Sequence, residues 1–123
     1  MAYAGPDRRK SARIRANFIV SYRVLDEAHT TDITQTKNMG LGGMLLTTSK
    51  KFDPGTKLAI EIRLPFERTP IMMIGKVIES CEITRDLIYD TRLEFMAIDE
   101  NHRVIISKTV NYYVNKDAKE KKE

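Results

Sequence analysis

The chain has 123 residues, of which 41% are hydrophobic and 31% charged, a composition typical of one folded domain and not of a disordered chain. The single cysteine excludes an internal disulfide and indicates a reducing compartment, and no segment is apolar enough for a secretion signal or a membrane span. We therefore expect a soluble cytoplasmic protein. The net charge of +4 favours an acidic partner. Composition alone does not distinguish among nucleic acid, a nucleotide and an anionic membrane surface.

Residues 1–15 are a basic arm that carries the whole net charge. Five cations and one aspartate give this segment +4, so residues 16–123 are neutral as a set. The cations are Arg8, Arg9, Lys10, Arg13 and Arg15. Guanidinium groups are planar, stay charged and match both phosphate oxygens and a guanine edge. Because the segment is polar and contains Gly5 and Pro6, we expect a flexible arm, and at this point a solvated leader and a binding element are equally good interpretations.

From Asn17 the sequence changes to a period of two, with apolar side chains alternating with other residues in most segments, which predicts short strands. The predicted strands are residues 18–24, 30–38, 44–48, 58–64, 71–78 and 87–95. The glycine-rich segment 39–43 and the sequence Asp53-Pro54-Gly55 predict turns. Segment 71–78 is apolar on both faces, so we expect it to be central or at a packed junction.

The hydrophobic period changes at Asp99, which is a suitable N-cap. Ile106, Val110 and Tyr113 then follow at helical spacing and predict a helix over residues 99–118, with a charged tail at 119–123 that should fray. Six strands at hairpin spacing before one helix predict an all-β fold, a six-stranded antiparallel β-barrel over residues 16–98 with the C-terminal helix packed against or plugging it.

Catalysis and metal binding have little support in the sequence. His29 and His102 lack a cysteine or a second histidine at zinc-ligand spacing. Cys81 has no local base to activate it and is interpreted as a buried or half-buried residue near a strand end. The turn at 39–43 lacks the spacing and the following helix of a phosphate-binding loop. We expect no enzyme, no metal site and no cofactor.

Two stretches remain that can bind a ligand. Arg9 and Arg13 are four residues apart, which separates them by ~6 Å in a helix or ~13 Å in a strand, and either distance can bracket a compact dianion. The amide of Asn38 can both donate to and accept from a base edge. Gly40 and Gly43 remove Cβ atoms where something approaches the backbone closely.

Together these stretches resemble the PilZ domain family, whose paired motifs are RxxxR and (D/N)xSxxG. Arg9-x-x-x-Arg13 is followed, after a strand, by Asn38-x-Gly40-x-x-Gly43. The resemblance covers residues 8–115 and includes three predicted strands. It implies a β-barrel that binds the bacterial second messenger cyclic di-GMP, often as an intercalated dimer. In that family Arg9 and Arg13 would contact guanine edges and phosphates.

The same resemblance implies that Arg8 adds a phosphate contact or stacks on a purine, and that Asn38 bonds a guanine. One position departs from the family pattern, because Gly40 replaces the motif serine. The lost hydroxyl removes a hydrogen bond worth ~0.5–1.5 kcal/mol, which weakens binding without abolishing it.

The leading hypothesis is a stand-alone cyclic di-GMP receptor in which the ligand orders residues 5–15 into a clamp. It would report to a protein partner in motility, biofilm formation or secretion. An alternative is a PilZ-like adaptor that does not bind the nucleotide, which Gly40 favours. A third interpretation, an RNA-binding barrel, needs aromatic stacking platforms that the strands do not offer. We expect neither a nucleic acid polymer as ligand nor membrane insertion.

Overall fold

The computed structural model describes residues 13–27 and 31–122, with side chains as far as Lys116. The described residues form seven strands and one helix. In chain order these are β1 (Arg13–Ile14), β2 (Ile19–Val24), β3 (Asp32–Gly40), β4 (Gly43–Thr48), β5 (Lys57–Ile62), β6 (Ile71–Thr84), β7 (Ile88–Ile98) and α1 (Glu100–Lys122). Nowhere in these ranges is there a helix with the length and hydropathy needed to span a membrane.

The sheet closes on itself into a barrel. Its strands follow the order β1-β3-β2-β5-β6-β7-β4, and β4 also pairs with β3, which joins the two ends. All these pairings are antiparallel. Closure gives each of the six main strands a partner on both sides, except for the edge of β6 beyond Lys76, where the pairing with β5 ends. The predicted six-stranded antiparallel barrel with a C-terminal helix is confirmed.

The short strand β1 and strand β2 lie along the same edge of β3. Arg13 pairs with Gly40 of β3, and further along the same edge Ile19 pairs with Gln35. The first strand among the described residues thus starts at Arg13, before the predicted barrel boundary at residue 16. A two-residue strand is too short to show alternation. Strand β1 forms only through its pairing with β3, so no local sequence pattern predicts it.

Thr36 of β3 fixes the irregular residues that connect β1 to β2. Its side chain is fully buried, and its Oγ1 atom accepts a hydrogen bond from the Phe18 amide at 3.0 Å. The same hydroxyl donates to the carbonyl of Ala16. The Asn17 side-chain amide donates to the carbonyl of Thr36 at 2.9 Å. These bonds satisfy the polar backbone of the connection inside the protein and thereby set the position of β1.

The core fills the barrel with side chains from alternate positions of every main strand. The fully buried large residues are Met39, Met44, Leu46, Leu58, Ile60, Ile62, Ile71, Leu93, Ile106, Val20, Val77 and Val110. Strand β6 lies between β5 and β7, as its apolar sequence predicts. Its outer face is nevertheless open, since Met72 is 63% exposed. The second apolar face of β6 is thus not covered by the described residues.

Strands β6 and β7 continue past the barrel as a projecting hairpin. Strand β6 extends to Thr84, beyond the predicted end at residue 78, and its end has no other layer to cover it. Residues 81–88 are consequently exposed. Cys81 lies in this part and is exposed, so the expectation of a buried or half-buried cysteine is wrong.

Helix α1 covers the barrel beside β1 and β3. Asp99 caps it as predicted, with its Oδ1 accepting from the Asn101 amide at 2.7 Å. Ile106 and Val110 are buried, and the Tyr113 ring packs edge-on against Phe18 with centroids 5.6 Å apart. The helix reaches Lys122, past the predicted end at residue 118, because the charged tail consists of strong helix formers.

Gly43 is required by a close approach between β4 and β7 and not by an unusual dihedral angle. A Cβ atom at this position would collide with the carbonyl oxygen of Leu93 and lie 3.2 Å from its carbon. Both obstacles are backbone atoms and cannot rotate away. The glycine with a positive φ in the described residues is Gly55, at 93°, in the predicted Asp53-Pro54-Gly55 turn.

We predict that Gly43→Ala lowers the free energy of unfolding by about 1–3 kcal/mol, because the new methyl group forces β4 and β7 apart. Gly42→Ala is the matched control, since a Cβ at Gly42 meets nothing within 4 Å. It should leave stability unchanged or slightly raised. Urea denaturation of both variants measures the difference, and equal stabilities would contradict the assignment.

Candidate ligand site on the outer barrel wall

Three of the residues predicted for the site meet where β1 joins β3. Arg13 pairs directly with Gly40. Asn38, two residues before Gly40, is a diagonal neighbour of Arg13 on β3, and such neighbours are within reach of long side chains. The Nη1 atom of Arg13 donates to Oδ1 of Asn38 at 2.8 Å. Arg8 and Arg9, the other predicted arginines, lie outside the described residues.

A β-bulge turns Asn38 to the outer surface. The pairing of β3 with β4 shifts register between Thr36 and Asn38, which leaves Lys37 as the extra residue. In a regular strand, residues two apart share one face. Here Thr36 is buried in the barrel while Asn38 is partly exposed and bonded to Arg13. The bulge therefore allows one short segment to anchor the core and contribute to the site.

A pocket of about 270 Å³ opens beside this bonded pair. Its lining residues are Arg13, Gly40, Leu41, Gly42, Ile78, Arg92, Leu93 and Glu94. Two guanidinium groups, one carboxylate and three larger apolar residues thus surround one space. Such a wall can bind an anionic group beside the flat face of a base. Asn38 and Gly43 do not line the pocket. Asn38 is bonded to Arg13, which does line it, and Gly43 lies at the close contact between β4 and β7.

The wall contributed by β6 and β7 was not predicted from the sequence. Ile78, Arg92 and Glu94 are far from both motifs along the chain and join them only through barrel closure. The polar alternation of the last strand predicts that Arg92 and Glu94 face outwards, and it gives no sign that they face the motifs.

The pocket places two like charges near each other. Partial burial, and then the positive charge of Arg92, lower the pKa of Arg13 from its ordinary value. An arginine side chain remains protonated even so. The repulsion between the two guanidinium groups is relieved when an anion lies between them, so the pocket is electrostatically suited to a negatively charged ligand.

The described part of the chain contains no group of three or more His, Cys, Asp or Glu side chains able to hold a metal ion. His29 lies outside the described residues, and His102 is in the first turn of α1.

Solved structures with the same fold share little sequence with this chain. MotI/DgrA, the Bacillus subtilis inhibitor of motility, matches with a TM-score of 0.71 at 20% identity, covering 91% of this chain and 52% of that one. MrkH from K. pneumonia, in its apo state, matches with a TM-score of 0.74 at 18% identity, covering 91% and 53%. This chain thus spans about half the length of those two proteins.

The PilZ domain of YcgR from Escherichia coli, solved with c-di-GMP, matches with a TM-score of 0.65 at 16% identity, covering 94% of this chain and 98% of that one. A search of curated proteins found no match. The family model described as "PilZ domain" matches residues 7–111, which is most of the sequence and includes both motifs and the barrel. The chain belongs to the PilZ domain family.

Proposed function

We propose that this chain is a receptor for cyclic di-GMP and binds it at the pocket beside Arg13. The observation that carries the proposal is the bonded pair of Arg13 and Asn38, next to Gly40 on the wall of an anion-suited pocket. The YcgR PilZ domain, which has the same fold, was solved with c-di-GMP. The proposal involves no catalytic chemistry, and a cytoplasmic location remains a prediction from the sequence.

In this proposal the side chains of Arg13 and Asn38 make different contacts with the ligand. Cyclic di-GMP offers two phosphodiesters and two guanine edges with O6 and N7 as acceptors. The guanidinium of Arg13 would form charge-assisted bonds to a phosphate or a two-pronged contact to guanine. Because Oδ1 of Asn38 already accepts from Arg13, its NH₂ group is the side that would donate to a guanine acceptor.

The volume of the pocket indicates that further residues complete the site. At about 270 Å³ it lies just below the ~300–1,000 Å³ usual for small-molecule sites, and cyclic di-GMP is a large dinucleotide. The chain before Arg13 starts at the mouth of this pocket, since Arg13 itself lines it. We propose that residues 5–12 close over the ligand, with Arg9 opposing Arg13 and Arg8 adding a phosphate contact, and that the closed arm presents a surface to a protein partner.

Titration calorimetry with cyclic di-GMP at low salt tests the function. We expect micromolar or tighter binding by the wild-type protein. Arg13→Ala should weaken it by about tenfold or more, since a hydrogen bond to a charged group contributes ~1.5–3 kcal/mol. Arg85→Ala is the charge-matched control, because Arg85 is exposed in the turn between β6 and β7 and does not line the pocket. Undetectable binding by the wild-type protein would contradict the proposed receptor function.

Hydrogen exchange tests the closing of the arm. With saturating cyclic di-GMP, we expect the amides of residues 5–12 to exchange about tenfold more slowly than without ligand, because closure shields them from water. The amides of residues 85–88, in the exposed hairpin, serve as the internal control and should be unchanged. Ligand binding with no slowing over residues 5–12 would show that the arm does not close.

The second candidate is an adaptor that does not bind the nucleotide, and the observation that favours it is Gly40. The residue is buried in β3 opposite Arg13, where the family motif has a serine. We expect Gly40→Ser to tighten cyclic di-GMP binding by about threefold to tenfold, the value of one restored hydrogen bond. Calorimetry separates the two functions: binding by Gly40→Ser and none by the wild type would favour the adaptor.

A further inference from the structure

Barrel closure brings Arg92 into line with Asn38. Asn38 of β3 pairs with Leu45 of β4, and Leu45 pairs with Arg92 of β7. Residues paired across neighbouring strands lie on the same face of a sheet. Asn38 and Arg92 therefore belong to one row on the outer wall of the barrel, with strand β4 between them, although they are 54 positions apart in the sequence.

Arg92 of β7 also lines the same pocket as Arg13 of β1. Its current partner is Glu79 of β6, whose Oε2 lies 3.6 Å from Nε of Arg92. The two side chains are 46% and 53% exposed. A long ion pair that is half exposed to water contributes little to stability. Arg92 can thus exchange this carboxylate for another anion at small cost.

We propose that Arg92 is a further ligand-binding residue, which releases Glu79 and binds a phosphate of the dinucleotide from the β7 side. This rests on the proposed function. A phosphodiester can accept a forked guanidinium contact, so it would give Arg92 the hydrogen bonds that its 3.6 Å ion pair with Glu79 lacks. It also places negative charge between Arg92 and Arg13 and relieves their repulsion.

The carboxylates near the pocket determine where that phosphate lies. Glu94 lines the wall two residues after Arg92, and Glu79 lies beside Arg92 on β6. A phosphate near Glu94 would be repelled, whereas one beside Arg92 displaces the Glu79 carboxylate and takes its place. In this proposal Glu79 is a counterion of Arg92 that competes with the ligand.

The test is titration of the full chain with cyclic di-GMP, comparing the wild type with Arg92→Ala, Arg92→Lys and Glu79→Gln. We expect Arg92→Ala to weaken binding by about tenfold and Arg92→Lys by less, since lysine keeps the charge and loses the fork. Glu79→Gln should tighten binding by about twofold to threefold, because a neutral amide competes less for Arg92. Arg85→Ala is the control for a lost surface charge.

A second measurement separates direct contact from a change in folding. The affinity of Arg92→Ala should fall less steeply with added salt than that of the wild type, and its thermal unfolding should be unchanged. If the wild type binds and Arg92→Ala binds within twofold of it, Arg92 is not a ligand contact and the receptor function stands. If the wild type shows no binding at low salt, the receptor function fails and this inference fails with it.

Discussion

The candidate site depends on the buried hydroxyl of Thr36. This single group accepts from the Phe18 amide and donates to the Ala16 carbonyl, and so fixes the connection through which β1 reaches the edge of β3. Each such bond contributes only ~0.5–1.5 kcal/mol net, yet a buried amide left without a partner costs about 1–3 kcal/mol. The pairing of Arg13 with Gly40 follows from that connection. An interaction on the inside of the barrel thereby determines the position of a charge on its outside.

The remaining walls of the site come from barrel closure. Strand β4 pairs with β3 on one side and β7 on the other, and this places Arg92 and Glu94 beside residues from the beginning of the chain. The contact at Gly43, where the backbones of β4 and β7 nearly touch, is part of the same arrangement. Folding thus brings Arg13, Asn38 and Arg92 together before any ligand is present, so binding need not supply the cost of bringing these three residues together.

Much of the fold and half of the site could be predicted from the sequence. The strands alternate cleanly, Asp99 is a strong cap, and the two motifs identify Arg13, Asn38 and Gly40, which the structure brings together. Arg92 could not be predicted, because only pairing between distant strands brings it to the motifs. The β3 bulge could not be predicted from the sequence either. Regular alternation would place Thr36 and Asn38 on the same face of the strand, and only the register shift puts them on different faces. The end of β6 beyond residue 78 could not be predicted either, because residues 79–84 are mostly polar and form a strand only through their pairing with β7.

Phe18 connects the site to the C-terminal helix. Its backbone amide bonds to Thr36, and its ring packs against Tyr113 of α1. The residues that set the position of Arg13 are therefore in contact with the helix. Thermodynamic linkage makes any coupling across this contact reciprocal. A protein that binds α1 and shifts the Phe18 ring would change the affinity of the site for a ligand by some factor. The ligand would then change the affinity of α1 for that protein by the same factor, so that each would be an effector of the other.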